Sequence, residues 1–192
     1  MAQQSERSKK PGSLHMSSST QPIIKNNAVV DDDWIVLHLA KTQRPEDVLV
    51  PDGKIIVPLK VWLKQKNTLQ SRANIGVLLS TDDDVHALKE HTAYVKVIAV
   101  NFPKFTDGRG YTIAYKLRSL IGYQGELRAI GDIQRDQLFY LQRVGFDAFA
   151  PAAHRDPEAL RSGLSDFSVT YQASWDERAP IFRRVNREGE RA

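Results

Sequence analysis

The fold is decided by residues 95–150, which read VKVIAVNFPKFTDGRGYTIAYKLRSLIGYQGELRAIGDIQRDQLFYLQRVGFDAFA. Here the apolar run Val95–Val100 leads through a loop rich in Gly, Asp and Arg into a helical pattern. Two further apolar runs, Leu127–Ile130 and Phe146–Ala150, flank a second helical pattern. This alternation is typical of consecutive βαβ units.

Three loops of this stretch are where function is expected. Parallel strands joined by right-handed crossovers place every strand-to-helix loop on the same edge of the sheet. The loops are Asn101–Gly110, Gly131–Asp136 and Pro151–Asp156.

Upstream, the pattern predicts one more unit and a helix before it. Ile75–Ser80 is an apolar run typical of a buried strand, and Thr81–Asp84 follows it as a capping-box start to a helix through Glu90. Apolar residues at roughly helical spacing predict a helix over Leu59–Leu69.

The outer parts of the chain complete the fold prediction. The short apolar pieces Val29–Val30, Trp34–Leu39 and Ile55–Val57 predict a small β-rich N-terminal element. The motif Asp156-Pro157-Glu158 predicts a helix start, and alternation over Phe167–Tyr171 predicts a closing strand with one wet face.

Length and composition fit one α/β domain, since the chain has 192 residues and 41% hydrophobic content. We expect a mainly parallel sheet that is either open or shaped like a partial barrel. Residues 1–21 are predicted to be a disordered tail, residues 22–178 the single domain, and residues 179–192 an arginine-rich C-terminal tail.

The composition also excludes several classes of function. The chain contains no cysteine, so it cannot hold a disulfide, a thiolate nucleophile, a Cys-ligated iron–sulfur cluster or a Cys-bound haem; any other cofactor is unknown. The net charge is +4 without a basic stripe interleaved with aromatics, which argues against nucleic acid as a partner. No apolar run is long enough for a signal peptide or a membrane span, so a cytoplasmic protein with no membrane partner is expected.

The loop after the first strand of the central stretch carries the clearest candidate site, for an anion or a phosphorylated cofactor. Its glycines allow close backbone approach near a helix start, where free N–H groups favour negative charge. The alternative is that Asp107 simply caps the helix and that Gly108 and Gly110 allow a tight turn. The candidate binding residues are Lys104, Thr106, Asp107, Gly108, Arg109 and Gly110.

Three residues of the other two loops are candidates for catalysis: Asp132, Arg135 and His154. Asp132 follows a strand end and could act as a general base or orient an arginine, and Arg135 could reach the same crevice. A histidine has a suitable pKa for proton transfer. The alternatives are that Asp132 caps the next helix and that His154 is an ordinary exposed histidine.

No metal site is predicted. Asp82, Asp83 and Asp84 are consecutive and cannot all face one ion without distorting the loop. The five histidines show no HExxH spacing, and His38 in its apolar run is better explained as a strand residue.

The run FPKFTDGRGYTIAYKLRSLIGYQGELRAIGDIQRDQLFYLQRVGFDAF, residues 102–149, resembles the core signature of a bacterial family known as domain of unknown function 934. Members of that family are commonly encoded beside assimilatory sulfite reductase. They are described as oxidoreductases or accessory proteins of sulfite reduction, without established catalytic residues. The resemblance therefore implies sulfite reductase as a partner.

Two functions are compatible with these observations. The first is an accessory protein of assimilatory sulfite reduction that acts through the reductase, as an oxidoreductase component or by docking. The chain cannot be the reductase itself, because that enzyme's sirohaem and iron–sulfur centre need cysteine ligands. The second is a stand-alone enzyme that binds a small anion or phosphorylated cofactor at the carboxyl ends of its strands.

Overall fold

The structure is a computed structural model that describes residues 15–17, 21–40 and 42–184. The strands are β1 (His15–Ser17), β2 (Ile23–Lys25), β3 (Ala28–Val30), β4 (Ile35–His38), β5 (Ile55–Pro58), β6 (Ile75–Leu79), β7 (Val97–Phe102), β8 (Glu126–Gly131) and β9 (Ala148–Pro151). The α-helices are α1 (Leu59–Leu69), α2 (Arg109–Lys116), α3 (Arg135–Arg143), α4 (Pro157–Arg161) and α5 (Ile181–Arg184).

These nine strands form one sheet in the order β1-β4-β5-β6-β7-β8-β9-β2-β3. The strands from β4 to β9 are parallel and neighbour each other in chain order. The strand order is linear, so the sheet stays open, and it curls into a half-barrel. The predicted α/β class with a mainly parallel sheet is confirmed.

The central βα units form where the sequence predicted them. Helix α1 spans Leu59–Leu69, as expected. At the start of α4, the Asp156 carboxylate accepts a hydrogen bond from the Glu158 N–H, which is the predicted cap. A π-helical turn, Leu117–Ile121, extends α2 and ends at Gly122, whose φ of 77° lies in the left-handed region.

The segment after β6 differs from the prediction, because it forms 3₁₀ turns (Val85–Leu88 and Thr92–Tyr94) rather than an α-helix. Its aspartates bond the backbone locally: Asp83 accepts from the Ser80 N–H at 2.7 Å and Asp84 from the His86 N–H at 3.0 Å. Such short side-chain bonds compete with helical hydrogen bonding.

The predicted closing strand over Phe167–Tyr171 was wrong, since these residues form no strand. The Phe167 ring lies 4.9 Å from the Phe139 ring of α3, centroid to centroid, although Phe167 is still half exposed. The alternating pattern arises here in an irregular segment laid over a helix.

The N-terminal strands belong to the same sheet. β4 and β5 extend the parallel series, and the β2–β3 hairpin adds antiparallel to β9. Asn26 and Asn27 both have positive φ, as a type I′ hairpin turn requires. The β-rich N-terminal element is therefore divided between the two ends of the sheet.

Both predicted tails are only partly described. Residues 15–17 of the expected disordered tail form β1, antiparallel to β4, which differs from the prediction. Residues 181–184 form α5. Residues 1–14, 18–20 and 185–192 lie outside the described part of the chain.

The two faces of the sheet are packed differently. Helices α1 to α4 bury their apolar side chains on one face, where the main core includes Trp62, Leu117 and Leu138. The opposite face, called the helix-free face here, holds a small cluster of Ile56, Val97 and Ala99. A buried glycine, Gly76, lets β6 pack closely there: a Cβ would approach the Val97 carbonyl oxygen to 2.9 Å.

Candidate functional site

A cavity of about 550 Å³ opens at the carboxyl ends of β4 to β7, and we call it the sheet-edge cavity. Each of these strands has a lining residue at or next to its carboxyl end: His38, Pro58, Ser80 and Asn101. Because the strands are parallel and adjacent, their carboxyl ends meet at one edge of the sheet. The cavity therefore lies where open α/β sheets bind their ligands.

One wall of the sheet-edge cavity is the start of α1. Leu59 and Lys60, in the first turn of the helix, line the cavity. The residue before them is Pro58, so no side chain caps the helix. The unsatisfied N–H groups and the Lys60 ammonium make this wall positive.

Another part of the cavity wall is acidic and is held in place by hydrogen bonds. Asp82 and Asp83 line the cavity. The Asp83 carboxylate accepts from the backbone of Ser80, whereas Asp82 accepts from the Arg109 guanidinium. A ligand in this cavity would meet both positive charge and carboxylates.

Arg109, a predicted anion-binding residue, is engaged by carboxylates of the protein. Its Nη2 lies 2.7 Å from the Asp107 carboxylate, and its Nη1 donates to Asp82. Asp107 also accepts from the Thr81 hydroxyl at 3.1 Å. These hydrogen bonds, chiefly the one from Arg109, hold the pKa of Asp107 well below its usual value.

The rest of the predicted anion loop has separate roles. Gly110 is buried against the Phe102 ring, which leaves no room for a side chain, so packing alone requires this glycine. Gly108 faces open space and precedes α2. Lys104 and Thr106 are exposed, and no side-chain hydrogen bond or ion pair joins either of them to other described residues.

Asp132 joins all three predicted loops. Its carboxylate accepts from the Phe105 N–H at 3.1 Å and from Arg155 at 3.0 Å. Gln137 of α3 donates to the Phe105 carbonyl at 2.7 Å. We call Phe105, Asp132, Gln137 and Arg155 the Asp132 cluster. The three loops therefore meet, as the parallel topology predicted.

The Asp132 carboxylate is stabilised in its ionised form. The hydrogen bond from Arg155, followed by that from the Phe105 backbone, lowers the pKa of Asp132. This environment suits a residue that holds loops together and orients an arginine better than a general base, whose pKa would have to be raised. His154 lies exposed beside the cluster and adds positive charge near Asp132.

Arg135 does not join the other two catalytic candidates. Its guanidinium forms a two-pronged ion pair with Asp166 and donates to the Ser162 hydroxyl at 2.9 Å. It therefore fastens the start of α3 to the segment after α4. Its partner lies 31 positions downstream, beyond the reach of a local sequence pattern.

Sequence reasoning did not select five residues that the structure brings to this edge: His38, Lys60, Ser80, Asn101 and Arg155. Ser80 and Asn101 could have been found, because each stands at the end of a predicted strand. Lys60 begins a predicted helix that follows a strand. Arg155 became recognisable only through its contact with Asp132.

Among residues 15–17, 21–40 and 42–184, no group of three or more His, Cys, Asp or Glu side chains could hold a metal ion. Within the same ranges, no helix is long and apolar enough to cross a membrane.

Comparison with known proteins identifies one family. A family model described as "Bacterial protein of unknown function (DUF934)" matches residues 76–182. The matched region contains all of β6 except Ile75, the strands β7 to β9 and all the predicted site residues. No curated protein and no solved structure matches the chain.

Proposed function

The chain belongs to the bacterial family DUF934, whose function is unknown, and from this premise we propose that it binds a small anionic or phosphorylated molecule in the sheet-edge cavity. The position of that cavity supports the proposal most directly. It lies at the carboxyl edge of a parallel sheet and is bordered by polar side chains from successive strand ends.

The start of α1 is the proposed seat of the anionic group. Backbone N–H groups at a helix start and a neighbouring ammonium both favour an oxyanion. Lys60 supplies that ammonium and lines the cavity. In the loop that the sequence predicted to bind an anion, by contrast, Asp107 and Asp82 already neutralise Arg109.

The other walls define the rest of the ligand. Asp82 and Asp83 accept hydrogen bonds, whereas Ser80 and Asn101 can both donate and accept. A bare anion would leave the carboxylates facing it. The proposed ligand therefore carries hydroxyl or amino donors in addition to its anionic group.

Isothermal titration calorimetry with inorganic phosphate and with sulfite tests the anionic end. We expect saturable binding of at least one anion to the full chain, and at least tenfold weaker binding to Lys60→Gln. The matched control is Lys64→Gln, which removes an exposed lysine of the same helix that does not line the cavity. Equal affinity in the Lys60 and Lys64 variants would overturn the proposed seat.

The variant Arg109→Gln separates this seat from the loop predicted by sequence. If Arg109 held the anion, its loss would abolish binding while Lys60→Gln had little effect. We expect the reverse, with Arg109→Gln changing affinity by less than threefold. Far-UV circular dichroism checks that each variant retains the fold.

For the biological role, we propose an accessory protein of assimilatory sulfite reduction in the cytoplasm, acting with sulfite reductase as an oxidoreductase component or by docking. The resemblance of residues 102–149 to a family encoded beside that enzyme supports this role. The absence of cysteine ligands is consistent with an auxiliary rather than a reductase function.

A pull-down of the tagged protein from sulfate-grown cells of its own source tests the partnership. We expect sulfite reductase to be recovered in near-stoichiometric amount and identified by mass spectrometry. Recovery of the tagged protein alone would contradict the partner role and would leave ligand binding to be decided by calorimetry.

A further inference from the structure

A second cavity, of about 220 Å³, lies on the helix-free face, and we call it the inner cavity. Residues of β4 and the segment before it line it together with residues of β8 and β9. β4 is not a neighbour of β8 or β9 in the sheet, so the curl of the half-barrel brings it to the same cavity. A direct ion pair of 2.6 Å, from Arg128 to Asp32, crosses the same space.

The walls of the inner cavity are largely apolar. Trp34, Val36, Ile130 and Pro151 line it, and each is partly exposed rather than fully packed. Trp34 offers a broad aromatic surface. Such walls favour an apolar or aromatic group of about the size of a single ring.

The most deeply buried polar residue of the inner cavity is Arg128, which is only 1% exposed; Gln21, Asp32 and His38 also line the cavity. Its guanidinium bonds the Glu126 carboxylate at 2.8 Å and the Asp32 carboxylate at 2.6 Å. A further contact of 2.7 Å joins its Nη2 to Glu126. Hydrogen bonds therefore engage two of the five guanidinium N–H groups, and no other described residue accepts a hydrogen bond from this guanidinium.

Charge balance excludes a fully charged ligand at this position. Lys25 pairs with Glu126 at 2.7 Å, so the network contains two positive and two negative side chains. An added anion would meet the partly buried Asp32 carboxylate without a net opposing charge in the network. A neutral acceptor can still receive hydrogen bonds from the unused Arg128 N–H groups.

We propose that the inner cavity binds a neutral, flat ring that carries a carbonyl acceptor. The ring packs against Trp34, and its carbonyl oxygen accepts from Arg128. This site goes beyond the proposed anion site: it differs in ligand class and shares only His38 with the sheet-edge cavity.

Nuclear magnetic resonance with benzamide tests this site on the full chain. Benzamide is a neutral ring with a carbonyl, benzoate has the same ring with a charge, and toluene lacks the acceptor. We expect benzamide to shift the Trp34 indole N–H signal saturably, with at least fivefold weaker binding of benzoate and toluene. The signal is assigned from its absence in Trp34→Phe. No saturable shift, or benzoate binding as tightly as benzamide, would overturn the proposal.

A blocking variant tests the location. Ala153 is exposed and lines the inner cavity, so Ala153→Phe adds bulk at its mouth without disturbing the core. The control is Ala159→Phe, at an exposed position of α4 outside the cavity. We expect benzamide affinity to fall at least fivefold only in Ala153→Phe, and unchanged affinity there would overturn the assignment.

Failure of this proposal can be distinguished from failure of the anion site. Lys60→Gln should leave benzamide binding unchanged, and Ala153→Phe should leave anion binding at the sheet edge unchanged. Loss of benzamide binding in Lys60→Gln would contradict the inner location.

Discussion

The two halves of the sheet's carboxyl edge differ in what fills them. At β7 to β9, Asp132 and Gln137 reach across to other loops and close the edge with hydrogen bonds. At β4 to β7, the strand ends carry shorter groups such as Pro58 and Ser80, and the sheet-edge cavity stays open. The same topology thus gives a closed half and an open half.

The comparison of the two halves shows that a charged residue at a strand end does not by itself indicate a ligand site. Arg109 and Asp132 were candidates because they are charged and lie at the right edge. In the folded chain, each is occupied by a protein partner. The room for a ligand is found where fewer side chains join neighbouring loops across the edge.

The largest expected effect comes from breaking the closed half at Gly110. In Gly110→Ala, the added Cβ would overlap the buried Phe102 ring, so we expect a loss of about 1–3 kcal/mol in the free energy of unfolding. Urea denaturation measures it. The matched control, Gly108→Ala, adds its Cβ in open space and should change stability by less than about 0.5 kcal/mol. Equal effects would show that Gly110 does not serve packing.

A smaller effect is expected from Gln137→Ala, which removes two bonds of the closed half. Gln137 donates to the Phe105 carbonyl and accepts from the Gln134 N–H at 3.0 Å. We expect a loss of about 1 kcal/mol in urea denaturation. Gln124→Ala removes an exposed amide that bonds only Gly122 and should have less effect; if its effect were as large, Gln137 would have no special role.

The variant Asp132→Asn tests the closed half through the pH dependence of its stability. The pKa of Asp132 is lowered in the folded chain. Its contribution to the free energy of unfolding is therefore fully present above the unfolded pKa of 3.8, and it is lost as the pH falls through the folded pKa. The variant should therefore melt at a lower temperature near neutral pH and lose less stability on acidification. An unchanged acid dependence of the melting temperature would contradict this role.

The smallest effect on stability is expected in the open half. Ser80 is exposed, and no described residue accepts a hydrogen bond from its hydroxyl, so Ser80→Ala should change unfolding free energy by less than about 0.5 kcal/mol. Calorimetry should nevertheless detect weaker ligand binding. A marked loss of stability would mean that the open half is held together like the closed one.

Local patterns predicted the central fold well. Strand and helix periodicity located β6 to β9 and α1, and the Asp156 cap located α4. Prediction was wrong where short-range bonds or tertiary contacts outweigh periodicity. The aspartates after β6 bond their own turn, and Phe167 packs on α3 instead of joining the sheet.

The sequence predicted the position of the candidate site better than it predicted the residues that line the site. Parallel topology placed the three loops together, and Asp132 does join them. Which charged groups neutralise each other depends on distances that the sequence does not contain: Arg109 meets Asp82 across 27 positions and Arg135 meets Asp166 across 31. The inner cavity depends on sheet curl, and the sequence pattern did not decide between an open sheet and a partial barrel.

The pairing of β2 with β9 has a consequence for synthesis on the ribosome. Strands β5 to β9 can add one after another as they emerge, because each pairs with its predecessor in the chain. The β2–β3 hairpin emerges before all of them but pairs with β9, more than a hundred residues later. It must wait without its neighbour until β9 leaves the exit tunnel, so one of the earliest sheet segments to be made is among the last to reach its native place.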